Sequence, residues 1–195
     1  MNVRCRVKRT IGVIAVLSAA LITTLSAQGA VQKELRSFVG GSFGLGQQRR
    51  LYDDSWAVGV QAALELRPSV HLVGTVGWVL SSDNYGFSSD VANVFQYDLG
   101  VELGFRRPLR GDWLIKPFLG AGAGARTYFY EAAELANRTC LAAYGGTGME
   151  FQLRRTAWRI EARENVFCYR SPATDNTQST RNDVTVSLGI AYHLR

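Results

Sequence analysis

The stretch from Val184 to Leu194 reads VTVSLGIAYHL, and one residue, Arg195, follows it. Its even positions Val184, Val186, Leu188, Ile190, Tyr192 and Leu194 are apolar. Its odd positions Thr185, Ser187, Gly189, Ala191 and His193 are polar or small. A period of two over this length marks a strand with one apolar face and one polar face. About 9–11 residues are what a tilted strand needs to cross a bilayer.

The same pattern recurs upstream. Strands are expected near residues 36–46, 55–66, 70–80, 95–106, 113–129, 140–153, 156–168 and 183–194. In the fourth, Phe95, Tyr97, Leu99, Val101, Leu103 and Phe105 alternate with Gln96, Asp98, Gly100, Glu102, Gly104 and Arg106. In the third the alternation blurs, because Val73 and Val79 fall on the polar face. Connections alternate in length. Short ones lie at 67–69, 107–112 and 154–155, and longer polar ones at 47–54, 81–94, 130–139 and 169–182. Short turns at one end and long loops at the other describe an up-and-down antiparallel meander. With an even strand number, both chain ends fall on the short-turn side. The expected fold is all-β, an eight-stranded antiparallel up-and-down transmembrane barrel.

The N-terminal end has the three-part layout of a secretory signal peptide. Arg4, Arg6, Lys8 and Arg9 precede an uncharged run from Thr10 to Leu25, and small residues follow. Cleavage after Ala27 divides the chain into a signal peptide, 1–27, and a barrel domain, 28–195. Losing four basic residues lowers the formal charge from +6 to about +2. The basic composition therefore gives no reason to expect a nucleic-acid partner.

Alternation alone does not say which face lies outside, because a soluble lipocalin-like barrel also alternates. Glycines on the polar face, Gly40, Gly44 and Gly46 on the first strand and Gly120, Gly122 and Gly124 on the fifth, suit a crowded lumen. The charges on that face are few and mixed: Glu65, Asp98, Glu102, Lys116, Arg126, Glu150, Arg159, Glu161 and Arg163. Inside a narrow barrel they would pair, since an isolated buried ion costs several kcal/mol. Trp56, Trp78, Trp113, Trp158, Phe105 and Tyr192 lie near strand ends on the apolar face, as interfacial girdle residues do. Lipid is expected outside.

These features together resemble the small OmpA/OmpX-type outer-membrane barrels. The phrase from Lys116 to Gly124, KPFLGAGAG, is similar to glycine-rich strands of that superfamily. Ser187, Gly189, Tyr192 and Leu194 resemble the C-terminal signal read by the bacterial barrel-insertion machinery, although the chain ends on Arg195 where such proteins commonly end on an aromatic residue. The resemblance implies a Gram-negative outer membrane, with membrane lipid, insertion machinery and periplasmic chaperones as partners. It implies a monomer and no cofactor. Nothing follows the barrel that would bind peptidoglycan, so the resemblance carries no implication of cell-wall tethering.

Cys5 lies in the signal peptide, leaving Cys140 and Cys168, nearly equidistant from the Arg154-Arg155 turn. A disulfide between them suits an exported protein. Strict alternation puts them on opposite faces, so the bridge requires a β-bulge near residues 164–167. His71 and His193 both belong at the short-turn end, and neither has a serine two residues on. They are expected to be girdle or lumen residues, with no catalytic role. Asp53-Asp54 and the acidic stretch 83–90 have no metal-ligand spacing and are expected to be solvated loop charge. The functional expectation is a non-enzymatic structural or surface-interaction barrel. Loop aromatics Tyr52, Trp56, Tyr85, Phe87, Tyr128 and Tyr130 would give it a contact surface. A small gated pore or carrier for small or apolar solutes, and a lipid A-modifying enzyme, are the alternatives.

Overall fold

The alternating segments fold as long antiparallel strands that close on themselves. In chain order they are β1 (Lys33–Gly44), β2 (Ser55–Arg67), β3 (Val70–Asp83), β4 (Asp90–Gly104), β5 (Arg107–Pro108), β6 (Trp113–Tyr130), β7 (Arg138–Leu153), β8 (Thr156–Arg170) and β9 (Gln178–Leu194). β5 is a two-residue spur on the start of β6, against Ile115 and Leu114. The other eight form the wall. Each pairs with its sequence neighbour, β4 pairs directly with β6, and β1 pairs with β9. The closing seam runs from Lys33↔Leu194 to Gly44↔Asp183. The computed structural model describes residues 32–45, 54–83, 90–130, 137–170 and 178–194, all within the compact unit Gln32–Arg195. Among the described residues there is no helix. The expected signal peptide, with Tyr52, Asp53, Tyr85 and Phe87, lies outside them.

Two-residue turns join β2 to β3 and β7 to β8, with Ser69 (φ 75°) and Arg154 (φ 57°) in the left-handed region. Gly44, Asp83, Tyr130 and Arg170, the last strand residues before the longer connections, lie at the opposite end. Several strands run further toward that end than the alternation indicates. β3 reaches Asp83, β4 starts at Asp90 and β9 at Gln178. In β9 the added residues, QSTRN, are polar on both faces. Strand that projects beyond an apolar layer is wet on its outer side, so it carries no apolar alternation to read.

The phase of alternation now has a direction. Leu99, Leu119 and Leu188 point outward and are 58–60% exposed, while Glu150, Lys116 and Arg36 on the other face are at most 2% exposed. A surface so apolar belongs in lipid. Trp56 and Leu66 of β2 both face outward. Ten residues at about 3.3 Å each, tilted by roughly 40°, give a band about 25 Å tall, the height of an outer-membrane hydrocarbon layer. Phe105, Trp113, Trp158 and Tyr192 are exposed near its short-turn edge and Trp56 near the other. Trp78 packs edge-on to Phe95 and donates its indole N–H to Asn93.

Val73 and Val79 break the alternation of β3 because both do point inward. Val79 joins Ala57, Val94, Tyr128 and Phe167 in an apolar cluster inside the long-loop end of the barrel. The reading of Tyr128 as loop surface is therefore corrected, since its ring is buried. Two glycines permit the wall its close contacts. A Cβ on Gly40 would lie 2.1 Å from the Val186 carbonyl oxygen across the closing seam, and one on Gly148 would lie 2.4 Å from the Phe118 ring.

A folded barrel of this kind is expected to migrate differently on an SDS gel before and after boiling. Leu99→Arg, in the middle of the outward band, is expected to cost about 2–4 kcal/mol of unfolding free energy in lipid vesicles. A chain that shows no shift and stays in water without detergent would contradict this fold.

Candidate functional site: the charged lumen

Among the described residues the inward face carries the carboxylates Glu34, Asp98, Glu102, Glu150, Glu161 and Asp183 and the cations Arg36, Lys116, Arg126, Arg159 and Arg163, with Arg181 in phase beside Asp183 on β9. They meet from different strands across the lumen. The hub is Glu102 of β4, held between two guanidiniums. Arg36 Nη1 lies 2.9 Å from its Oε2, and Arg159 Nη2 lies 2.5 Å from the same oxygen. Arg36 also binds Glu34 at 2.6 Å, and Lys116 Nζ lies 3.5 Å from Glu34 and 3.8 Å from Glu102. Arg159 reaches Glu150 at 3.4 Å and Glu161 at 3.3 Å. This lower tier ties together β1, β4, β6, β7 and β8.

Toward the long-loop end, Arg163 bridges Asp98 at 3.1 Å and Glu161 at 3.0 Å, and Gln61 donates to Glu161. Arg126 then pairs with Asp183 at 2.5 Å, while Gln96 and Asn165 fill the remaining positions. Each of the three inner arginines lies over a ring. The guanidinium carbon of Arg159 is 3.4 Å from the Phe118 centroid, that of Arg163 is 3.9 Å from Tyr144, and that of Arg126 is 4.5 Å from Phe167. Aromatic faces and carboxylates together replace the water these cations gave up.

Of the lumen charges expected from sequence, Asp98, Glu102, Lys116, Arg126, Glu150, Arg159, Glu161 and Arg163 stand in these tiers. Glu65 does not. It sits at the rim, where Arg106 lies 3.3 Å away. Glu34, Arg36 and Asp183 escaped the reading, although each has the parity of its strand's polar face. Glu34 and Arg36 lie in phase with Gly40 and Gly44, and Asp183 lies in phase with Ser187 and Gly189. A strand started two residues earlier would have caught Glu34.

Cys140 and Cys168 are both free. The β7–β8 register is uniform from Leu153↔Thr156 to Ala142↔Phe167, so the expected bulge is absent. One step further along that register Cys168 would face Leu141, and Cys140 would face Tyr169 on the other side of the wall. Unbroken alternation keeps the thiols apart, and the expected disulfide is corrected accordingly. Ser187 is buried in the lumen, and Tyr192 and Leu194 face outward.

Both histidines lie at the short-turn end. His71 is buried with Nε2 3.4 Å from Lys116 Nζ and 3.8 Å from Glu34. His193 faces Glu34 at 3.1 Å and lies against the Arg155 carbonyl. Between the tiers, a cavity of about 30 Å³ is lined by residues including Phe38, Gln61, Thr75, Gly77 and Ser187. Such a volume holds about two waters.

An eight-stranded closed antiparallel wall, apolar outside and charged inside, is the architecture of the small outer-membrane β-barrels. Solved structures share that fold. Neisserial surface protein A matches with a TM-score of 0.61 at 12% identity, over 82% of this chain and 96% of that one. The N-terminal β-barrel domain of Pseudomonas aeruginosa OprF matches with a TM-score of 0.56 at 14% identity, over 86% of this chain and 100% of that one. The outer membrane protein AlkL, solved in lipid bilayers, matches with a TM-score of 0.51 at 13% identity, over 86% and 91%. No protein-family model matches the chain, and no curated protein sequence matches it significantly.

Glu102→Gln removes the anion between Arg36 and Arg159 and leaves buried cations short of countercharge. It is expected to destabilise the folded barrel by about 3–5 kcal/mol in denaturant titrations from lipid vesicles. The rim substitution Glu65→Gln is expected to cost less than about 1 kcal/mol.

Proposed function

We propose that this chain is an integral protein of a bacterial outer membrane, exported by a cleaved signal peptide and non-enzymatic. Its role is structural, or one of surface interaction through the connections at the long-loop end. Its partners during biogenesis are periplasmic chaperones and the insertion machinery, the latter reading Ser187, Gly189, Tyr192 and Leu194. It works as a monomer. The observation that carries this reading is a lumen filled from wall to wall by buried ion pairs under an apolar cluster, inside an apolar outer band. Eight strands leave an interior just wide enough for side chains. Here those side chains are paired ions, whose displacement by a passing solute would expose uncompensated charge.

Two further arguments support it. The partners of His71 are Lys116 and Glu34, and those of His193 are Glu34, Glu150 and the Arg155 carbonyl. Neither set contains the hydroxyl that a histidine base would activate. Both histidines also sit at the end of the barrel away from the long connections. A lipid-modifying reaction on the outer leaflet is thereby disfavoured.

One observation favours a second reading, a small gated pore. The 30 Å³ cavity has Gln61, Thr75 and Ser187 in its lining, and the buried Thr75 hydroxyl has no protein partner. Planar-bilayer recordings separate the two. The plugged barrel is expected to give no steady conductance, with at most rare brief openings. Steady open channels would overturn the plug and favour the pore.

A further inference from the structure

Glu34, Glu150 and His193 come from β1, β7 and β9, and no sequence motif joins them. The barrel brings one ligand atom of each to a common point at its short-turn end, and these atoms all lie within 4.8 Å of one another. His193 Nε2 is 3.1 Å from Glu34 Oε1 and 3.9 Å from Glu150 Oε1.

Each of the three is oriented from behind. Glu34 Oε2 is held by Arg36 at 2.6 Å, and Glu150 Oε2 faces Arg159 at 3.4 Å. His193 Nδ1 lies 3.3 Å from the Arg155 carbonyl oxygen, to which an Nδ1–H donates. In the neutral ring that tautomer leaves a lone pair on Nε2, which lies near the two carboxylate oxygens. A histidine that donates one ring N–H to a backbone carbonyl and presents the other nitrogen is the usual arrangement of a metal ligand.

Glu150 is fully buried, and its Oε1 has no hydrogen-bond partner. His193 Nε2, although close to Glu34, is not aligned for a hydrogen bond and also has none. With His193 neutral, three electron-pair donors face one another with no proton between them. A cation at this point gives Glu150 Oε1 and His193 Nε2 the partner they lack.

We propose that Glu34, Glu150 and His193 bind a divalent transition-metal ion, with Zn²⁺ the best fit to one imidazole nitrogen and two carboxylate oxygens. Bond lengths of about 2.0–2.2 Å put tetrahedral donors about 3.4 Å apart, between the two separations seen here. Water completes the shell. Lys116 Nζ, 3.5 Å from Glu34 Oε1, is the competing cation and moves toward Glu102 when the ion enters. Access is from the short-turn mouth, where the His193 side chain is 13% exposed. The ion would join both strands of the closing seam to β7 across the lumen.

The test is isothermal titration of Zn²⁺ into the chelator-treated protein in detergent, followed by X-ray absorption of the loaded protein. One ion per chain is expected, with a shell of one nitrogen and the rest oxygen. His193→Ala and Glu150→Gln are each expected to weaken binding by more than about 100-fold, beyond the loss typical of residues that only orient a ligand. Glu65→Gln is expected to bind as the parent does. Absence of stoichiometric binding, a shell without nitrogen, or affinity unchanged in both variants would overturn the site. The absorption measurement needs no variant, so it decides the matter even if a substitution prevents folding.

Discussion

A chain that crosses a bilayer as strands must satisfy every backbone N–H and C=O within its own wall, because hydrocarbon offers no partners. That constraint forces closure, and the β1–β9 seam is where closure is made. Its pairing brings the last strand against the first along their lengths, and Gly40 lets Val186 approach where any larger residue would clash. Once the wall is closed, alternation leaves each side chain only two destinations, lipid or lumen.

The lumen then inherits every charge the lipid face rejects. Too narrow for much water, it must neutralise those charges internally. Glu102 between Arg36 and Arg159 does this at the short-turn end, Arg163 between Asp98 and Glu161 in the middle, and Arg126 on Asp183 above. The aromatic rings under the three inner arginines fill the volume that water would occupy elsewhere. Such pairs add little net stability compared with an apolar filling, but their loss one at a time is costly. They therefore act mainly to fix the register of opposing walls and to shut the passage.

The fold was legible because a two-residue period survives any detail of packing. Leu188 and Ile190 face lipid whatever lies behind them, and the short turns at 68–69 and 154–155 announce themselves by what separates them. Strand ends above the membrane were not legible, since QSTRN at the start of β9 has no apolar face to mark it. Within the site, parity placed Glu102, Arg159 and Arg163 in the lumen, yet it could not say which acid meets which base. Those pairings depend on strand tilt and on the stagger between walls, as with Arg36 and Glu102, separated by 66 residues. Cys140 and Cys168 make the opposite point: alternation had placed them on opposite faces, and the invoked bulge does not exist. The trio Glu34, Glu150 and His193 shows the same limit, because three strands supply one donor each.

The central claim is a closed barrel with the even positions of β9 in lipid and the odd positions in the lumen. Nitroxide labels placed singly along residues 184–194, in lipid vesicles, test it directly. Collisions with dissolved oxygen should be high at 184, 186, 188, 190, 192 and 194 and low at the positions between. Flat accessibility along the strand, or the reversed phase with odd positions in lipid, would contradict the account.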